Sequence, residues 1–347
     1  MARRITIEDV AKLAGVSKVT VSYVLNGRGE DARISARTME RVMSAARDLQ
    51  YRPNALARML LRQQTDSIAM AFQYAEYFAS ASTFISEVMR GVCSSCVDLG
   101  LDVLLHTRPA TPGQAEADLL TDGRVDGLLI LRDQDDPTLN EILDRKFPVV
   151  MFFTRSARAD VPYVDADNYS GGRMGTKHLL DIGHTDVGIV RGPAQSVSSN
   201  DRYNGYRDAM EAAGHIVRSD HTATLETPSA HPGDLLAMMS SPDRPSALFV
   251  WSDDVAFAVL RWLGEIGLSV PNDVSIVGYD SSEACERVHP ALTSVRQPVH
   301  DMACEATEML ARLIRKQPLK RHQVLYPPTL DVRASTAPRP GSRQIEN

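Results

Sequence analysis

Residues 6–26 read TIEDVAKLAGVSKVTVSYVLN, a pattern that predicts two short helices joined by a tight turn. One apolar face of the first helix is formed by residues at helical spacing, Val10, Leu13 and Ala14. Asp9 follows Thr6 by three residues, close to a capping-box pattern, and Ser17 is a natural N-cap for the second helix. Gly15 separates the two helices. We therefore expect a helix-turn-helix whose second helix is sized for a major groove.

The second helix has an apolar inner face and a mostly polar outer face. The inner residues are Val21, Val24 and Leu25. The outer residues are Lys18, Val19, Ser22 and Tyr23, and their hydroxyl groups suit contacts with phosphates. An ordinary helical hairpin is the alternative interpretation, because short amphipathic helix pairs are common.

The charge distribution favours the nucleic-acid interpretation. Residues 1–62 hold 12 Lys and Arg against 6 Asp and Glu, a net charge of +6. The whole chain holds 38 against 44, which leaves residues 63–347 with 26 against 38 and a net charge of −12. A basic segment attached to an acidic remainder is typical of a nucleic-acid-binding protein.

A third helix is predicted from Ser35 to Gln50, followed by a short segment rich in helix-forming residues. Pro53 ends the third helix, and Asn54 can cap a fourth over residues 55–62. Two turns of helix are unstable alone in water, so this piece should fold only against DNA or a second copy of itself. A plain linker is the alternative, although a linker has no need of several leucines.

These motifs resemble the lactose-repressor (LacI) family of transcription regulators, and the resemblance extends to about residue 336. It rests on the 6–26 run together with the later run from Leu49 through Tyr51-Arg-Pro-Asn-Ala-Leu-Ala-Arg58. It implies a sequence-specific DNA-binding regulator, expected to be a repressor, whose operator affinity is controlled by a small molecule, expected to be a sugar. It implies no cofactor and no enzymatic activity.

The resemblance also assigns DNA-contacting residues. Base edges would be contacted by Lys18, Val19 and Tyr23. Phosphates would be contacted by Thr6, Ser17, Ser22 and Asn26. In the hinge the matching positions are Asn54, Ala57 and Leu60, with Leu60 as a wedge that opens a central base step from the minor groove.

The rest of the chain alternates apolar strands with amphipathic helices. Eight strands are predicted, over residues 68–72, 101–106, 125–131, 148–154, 187–191, 223–226, 247–251 and 274–280. Continuous Val, Ile and Leu runs separated by helices predict parallel sheets covered on both faces. The fold class is therefore α/β, with a helix-turn-helix head and two doubly wound lobes. The resemblance implies that these lobes are similar to periplasmic sugar-binding proteins.

Candidate ligand residues follow strand ends or begin helices, where doubly wound folds bind ligands. They are Phe84, Arg132, Arg202, Trp251, Ser252, Asp253 and Asp280. An Arg and an Asp facing one cleft can share the vicinal hydroxyls of a sugar, while aromatic rings cover its apolar face. The alternatives are that Asp253 and Asp280 only cap helices and that Arg132 is a surface residue. The resemblance favours Arg202 and Asp280 most.

Other motifs indicate structure rather than chemistry. Cys93 and Cys96 have no partners that would complete a zinc site, and buried thiols are the favoured interpretation. Gly171-Gly-x-x-Gly175 lacks the frame of a dinucleotide fingerprint, so helix packing is favoured. We find no nucleophile elbow, phosphate loop or metal-ligand spacing.

The expected domains are a DNA-binding head (1–52), a hinge helix (53–64), a two-lobed effector-binding and dimerisation domain (65–336) and a disordered tail (337–347). Without an apolar signal core or membrane span, we expect a cytoplasmic protein that joins the nucleoid when bound to DNA. The expected partners are a near-palindromic operator, a sugar and a second copy of the chain. An exported sugar receptor and an α/β enzyme are the rival interpretations.

Overall fold

The structure is a computed structural model that describes residues 5–51, 64–73, 82–111, 113–132 and 136–339. The chain divides into two compact units, Met1–Thr65 and Asp66–Asn347, which we call the head and the body. Helices α1–α3 belong to the head, at Ile7–Ala14, Lys18–Leu25 and Ala36–Asp48.

Hydrogen-bonded caps set the helix starts in the head. The Asp9 carboxylate accepts from the backbone amide of Thr6 at 2.9 Å. Ser17 Oγ accepts from the amide of Thr20 at 3.1 Å, as predicted for an N-cap. The third helix is shorter than expected at both ends, because Ser35 is its cap and Gln50 takes a positive φ of 47°.

The three helices share one small apolar core. Its buried members are Val10, Ala11, Ala14, Val21, Val24, Val42, Ala45 and Ala46. Leu13 was expected in this core but is 55% exposed. The inner face of α1 runs through Ile7, Val10, Ala11 and Ala14 at i, i+3, i+4 and i+7, which turns Leu13 outward.

In the described part of the body, twelve strands form two sheets. In chain order, β1–β6 are Ser67–Phe72, Asp102–His106, Gly127–Leu131, Val149–Phe152, Tyr163–Ala166 and Val187–Arg191. The remaining strands, β7–β12, are Thr222–Thr224, Ala247–Val250, Ser275–Asp280, Thr293–Arg296, Gln323–Tyr326 and Thr329–Asp331.

Helices alternate with these strands and cover the sheets. In chain order, α4–α7 are Thr83–Leu99, Glu116–Leu120, Pro137–Asp144 and Asn168–Asp181. The later helices, α8–α11, are Val197–Ala212, Gly233–Ser240, Asp253–Glu265 and Val299–Ile314. Short 3-10 turns lie at Ser219–His221 and Glu283–Glu286.

Each sheet forms the centre of one lobe. The first sheet has the order β11-β5-β4-β3-β1-β2 and its described pairings are parallel. The second has the order β12-β10-β9-β8-β6-β7, parallel except for the antiparallel pairing of β10 with β12. Apolar clusters cover both faces of each sheet, which confirms the predicted doubly wound α/β fold.

Within the described residues the chain passes between the lobes three times. It leaves the first sheet after Ala166, returns after Gln297 to pack α11 on the first sheet, and leaves again after Tyr326. Each lobe therefore combines chain segments that are distant in sequence. Strands β5, β10, β11 and β12, which flank these crossings, lie at one end of their sheets.

The structure extends the predicted element pattern and changes several bounds. Strands β5, β10, β11 and β12 were not predicted, because they are three or four residues long and contain polar residues. The strand expected at 223–226 is Thr222–Thr224, since its pairing with β6 ends where Thr224 faces Arg191. The tail expected to be disordered from 337 is still bonded to the body at Ala337 and Arg339.

Candidate functional site

The outer face of α2 presents the side chains that the sequence predicts for DNA contact. Val19 is 62% exposed and Tyr23 is 37% exposed, although both are large and apolar or aromatic. Lys18 is also exposed and pairs with Glu8 of α1. An exposed apolar side chain on a basic, polar helix face is suited to contact with a thymine methyl group.

The expected phosphate-contacting residues flank this face. Thr6 and Ser17 are exposed, and each takes part in a helix cap. Asn26 is half-buried, and its Nδ2 donates to the carbonyl oxygen of Ser22 at 2.8 Å. The hinge positions Asn54, Ala57 and Leu60 lie outside the described residues.

In the body, close packing of two helices positions a buried arginine. A Cβ added at Gly172 of α7 would lie 2.1 Å from the carbonyl oxygen of Arg202 on α8, so only glycine fits there. The interpretation of this glycine run as helix packing is thus confirmed at Gly172, whereas Gly171 and Gly175 face Tyr279 and Phe249 of the second sheet. The contact brings Asn168 to Arg202, whose Nε donates to Asn168 Oδ1 at 2.9 Å.

Two further contacts fix the Arg202 guanidinium at the carboxyl end of the second sheet. Its Nη1 donates to the backbone carbonyl of Trp251, the residue after β8. Its plane also lies over the ring of Tyr279, 3.5 Å from the centroid. A guanidinium held on three sides is a rigid donor for a ligand, because little side-chain entropy remains to be lost.

Asp280 follows Tyr279 and ends β9 beside this guanidinium. Its Oδ1 accepts from Gln297 Nε2 at 2.6 Å, and its backbone has φ +114°, a rare conformation for a residue with a side chain. Burial raises the pKa of Asp280 well above its usual range, although the nearby charge of Arg202 lowers it. The structure therefore brings Arg202 and Asp280 together, as the sequence predicts.

The two aromatic residues among the predicted ligand residues belong to different lobes. Phe84, in the first turn of α4, packs edge-on against Phe153 with ring centroids 4.9 Å apart. Trp251 is half-buried after β8, and its indole Nε1 donates to the carbonyl oxygen of Leu225 at 2.8 Å. These rings can cover an apolar ligand face.

Like Arg202 and Asp280, two further predicted ligand residues have protein partners at their polar groups. Arg132 is buried and pairs with Glu116 and Asp136. Asp253 is 0% exposed. The groups that donate to its carboxylate all belong to the second lobe, namely Ser294 Oγ at 2.6 Å, the amide of Ser282 at 3.0 Å and Cys285 Sγ at 3.0 Å.

The side chains of Asp253 and Ser252 mainly stabilise the protein structure through hydrogen bonds. Burial raises the pKa of Asp253 to about 6, while the hydrogen bonds from Cys285 and Ser294 lower it. Ser252 is the N-cap of α10, and its Oγ accepts from the amide of Val255 at 3.4 Å. Of the seven predicted ligand residues, Asp253 has the least surface available to a ligand.

Comparisons with known proteins agree with this two-part organisation. Residues 6–54 match the model for bacterial regulatory proteins of the lacI family, and residues 176–336 match the periplasmic binding protein-like domain. The ribose operon repressor of Escherichia coli is 32% identical over 335 residues, covering 95% of this chain and 99% of the repressor. The regulator CelR of Thermobifida fusca is 33% identical over 340 residues, covering 96% and 98%.

The chain belongs to the LacI family. Its structure is similar to that of the lac repressor dimer bound to operator and the anti-inducer ONPF, with a TM-score of 0.83, 26% identity and coverage of 96% of this chain and all of the repressor chain. It is also similar to the CelR–cellobiose complex, with a TM-score of 0.72, 31% identity and coverage of 96% and 100%. As a LacI-family member, the protein is a DNA-binding transcription regulator.

The cleft also contains polar residues that were not predicted from the sequence. Asn168 and Gln297 contact Arg202 and Asp280, respectively. Each follows an unpredicted strand, β5 or β10, so no strand end marked its position. Among the described residues no helix could span a membrane, and no cluster of His, Cys, Asp and Glu could hold a metal ion.

Proposed function

We propose that this LacI-family protein is a homodimeric repressor whose affinity for a near-palindromic operator is controlled by a sugar bound between its lobes. The names of its relatives support the operon, operator and sugar parts of this proposal. The relatives are regulators, which supports a protein without catalytic activity. A site of action in the cytoplasm, at the nucleoid, follows from binding DNA.

The observation that carries the sugar proposal is that Arg202 and Asp280 are each fixed by hydrogen bonds and lie close enough for the charge of Arg202 to act on Asp280. The guanidinium can donate to one sugar hydroxyl while the carboxyl group accepts from its neighbour. Phe84 and Trp251 provide aromatic surface for the apolar face of the ring, and Ser252 provides a hydroxyl beside them. We assign Arg132 and Asp253 to holding the walls of this site, because Arg132 forms ion pairs with Glu116 and Asp136 and Asp253 is fully buried.

In the head, the proposal divides the contacts into two classes. Base edges are contacted from α2 by Lys18, Val19 and Tyr23. Thr6, Ser17, Ser22 and Asn26 contact phosphates and fix the register without specifying sequence. Two heads in a two-fold dimer would bind two half-sites, which explains the expected palindrome.

The remaining assignments concern the segments between and beyond these sites. Residues 53–64 are proposed as the hinge, with Asn54 and Ala57 beside DNA and Leu60 as the minor-groove wedge. Unstacking one base step costs roughly a few kcal/mol, which contacts with the bent DNA offset. A ligand that binds one arrangement of the lobes more tightly than another would change operator affinity through that difference.

The test is selection of operator fragments from a random DNA pool with the purified full-length protein, repeated with a panel of sugars. We expect a two-fold symmetric footprint whose affinity falls steeply with salt, and at least one sugar that changes it. A selected site without two-fold symmetry would contradict the dimeric mode of binding. A symmetric site that no sugar affects, while another small-molecule class does, would refute only the sugar assignment.

A further inference from the structure

Asp254 lies in the first turn of α10 in the second lobe, but its carboxylate bonds to the first lobe. Its Oδ2 accepts from Ser82 Oγ at 2.6 Å, and its Oδ1 accepts from Thr83 Oγ1 at 2.8 Å and from the Thr83 amide at 3.2 Å. Ser82 is the N-cap of α4 and Thr83 is its first residue. One carboxylate thus accepts three hydrogen bonds across the cleft.

The neighbouring residue shows that this arrangement is not a general property of the α10 start. Asp253 is one residue earlier in the same turn, and its carboxylate bonds entirely within the second lobe. Consecutive carboxylates therefore have separate roles. Asp253 joins α10 to β10 and to the loop after β9, whereas Asp254 joins α10 to the other lobe.

The charge of Asp254 suits the place that it occupies. It lies at the N-terminus of α10 and reaches the N-terminus of α4, and both helix ends favour a negative charge. Hydrogen bonds to an ionised group are stronger than those between neutral groups. The contact is also half-buried, which reduces screening by solvent.

The contact lies where it can restrain the opening of the two lobes. Helix α4 follows β1, and α10 follows β8, strands that lie away from the sheet ends where the chain crosses between lobes. Other cross-lobe contacts include Ser198 Oγ to the Phe153 carbonyl at 3.1 Å and Arg155 to Asp201 at 2.5 Å. A bond far from the crossings must break for even a small rotation of the lobes.

We propose that Asp254 is a positioning residue that latches the two lobes together through the start of α4. Loss of the latch increases the population of the open arrangement, and through it changes the response to any ligand that prefers the closed one. The same turn of α4 carries Phe84, so the latch also holds a wall of the proposed sugar site in place.

The test uses Trp251, one of the two tryptophans of the chain, as the reporter. Trp262 is buried in the core of the second lobe, and Trp262→Phe leaves Trp251 at the cleft as the fluorophore. Acrylamide quenching then measures access to the cleft in the full-length protein, without DNA or ligand. We expect Asp254→Ala to raise the open population by about 10-fold and to increase the quenching constant.

A matched control separates the latch from an ordinary surface charge. Glu283 also forms a cross-lobe pair, with Arg90 of α4, but at 3.9 Å and with both side chains largely exposed. Glu283→Ala should leave quenching unchanged, because such pairs contribute little. Equal quenching of the Asp254→Ala and Glu283→Ala proteins, both folded by circular dichroism, would refute the latch.

Variants on the other lobe exclude a local effect on α10. Thr83→Val removes the hydroxyl donor while keeping the shape of the side chain, and Thr83→Ser restores that donor. We expect Thr83→Val to increase quenching, as Asp254→Ala does, and Thr83→Ser to keep the wild-type value. The increase in quenching of the Asp254→Ala, Thr83→Val double variant should be smaller than the sum of the two single increases. Increased quenching with Asp254→Ala alone would show only a disturbed α10 and overturn the proposal. The experiment is independent of the sugar assignment, since it uses no ligand.

Discussion

In the head, the side chains proposed to contact DNA stand on the surface of α2, whereas in the body those at the centre of the proposed ligand site are buried and already hydrogen-bonded. Val19 and Tyr23 are exposed on a helix whose other face forms the core. Arg202 and Asp280 are buried among Asn168, Trp251 and Gln297. Substitutions on the head surface can therefore change DNA recognition with little loss of folding stability. Substitutions in the cleft should change ligand binding and the folding stability of the body together.

The largest expected effect comes from a buried charge in the head. Val21 is fully buried in a core of three short helices. The free energy needed to bury an unpaired carboxylate there exceeds the folding free energy of so small a core, so the head should unfold. Val21→Asp should reduce affinity for the selected operator by at least about 100-fold. Urea unfolding followed by tryptophan fluorescence should be unchanged, because Trp251 and Trp262 both lie in the body.

Val19→Ala is the matched control, since Val19 lies on the same helix but is exposed. It should leave the head folded, as measured by circular dichroism, and alter only the preference for particular bases. A shift of the urea midpoint in Val21→Asp would show that the head and the body do not unfold separately.

The next effect should be the loss of effector response on removing Arg202. Arg202→Ala leaves the buried groups around Asp280 without a cation. We expect the sugar concentration that gives half of the maximal change in operator binding to rise by at least about 100-fold. Operator affinity without sugar should stay within about two-fold, since the head is unaltered. Operator binding would be titrated by fluorescence anisotropy at increasing sugar concentrations.

Arg207 provides the control for this substitution on the same helix. Its guanidinium is exposed and pairs with Asp208 at 2.9 Å, so Arg207→Ala should respond to the sugar like the wild type. An equal loss in both variants would show that the effect comes from α8 as a whole and not from the cleft.

A smaller effect should appear as a pH dependence of body stability at Asp253. Its folded pKa of about 6 lies above the usual unfolded value, so its stabilising contribution is complete below about pH 4 and lost as the pH rises through about 6. The unfolding free energy of the wild type should fall by roughly 3 kcal/mol relative to Asp253→Asn between these limits. Urea unfolding of both proteins at pH 4 and pH 7 measures this change. An unfolding free energy of the wild type that rose with pH relative to that of Asp253→Asn would contradict the prediction.

The smallest effect should come from the exposed lysine on α2. Lys18→Ala should lower operator affinity by about 10-fold and relax the preference at one base pair. Lys12→Ala, an exposed lysine on α1, should change affinity by less than about three-fold. Competition with operators substituted at each position would measure this. Equal losses for every operator would identify Lys18 as a phosphate contact instead.

The fold could be predicted from the sequence wherever apolar residues followed a single helical or strand period over a long segment. The head helices and the long Val, Ile and Leu strands, such as Val187–Arg191, follow directly from apolar spacing. Strands β5 and β10–β12 could not be predicted, because they are short, polar in part and defined by pairing with residues far away in the chain. These are also the strands that flank the lobe crossings.

The candidate site was predictable where a motif marks the residue and not where contact alone selects it. Arg202 and Asp280 lie in motifs that the family resemblance matches. Gln297 and Asn168 carry no comparable signal, and the cross-lobe role of Asp254 depends on Ser82 and Thr83, about 170 residues earlier. Side chains that act between distant segments become visible only when the segments are placed together.

The exchange of chain between the lobes has a consequence for synthesis of the protein. The first lobe is completed by Gln323–Tyr326 and the second by Thr329–Asp331, in a chain of 347 residues. Neither sheet can gain its last strand until residues 323–331 have been synthesised, whereas the head helices at Ile7–Asp48 are synthesised well before them. A nascent chain stalled before residue 323 would therefore carry a complete DNA-contacting helix pair on two unfinished lobes, a state from which premature termination would release a protein prone to aggregation.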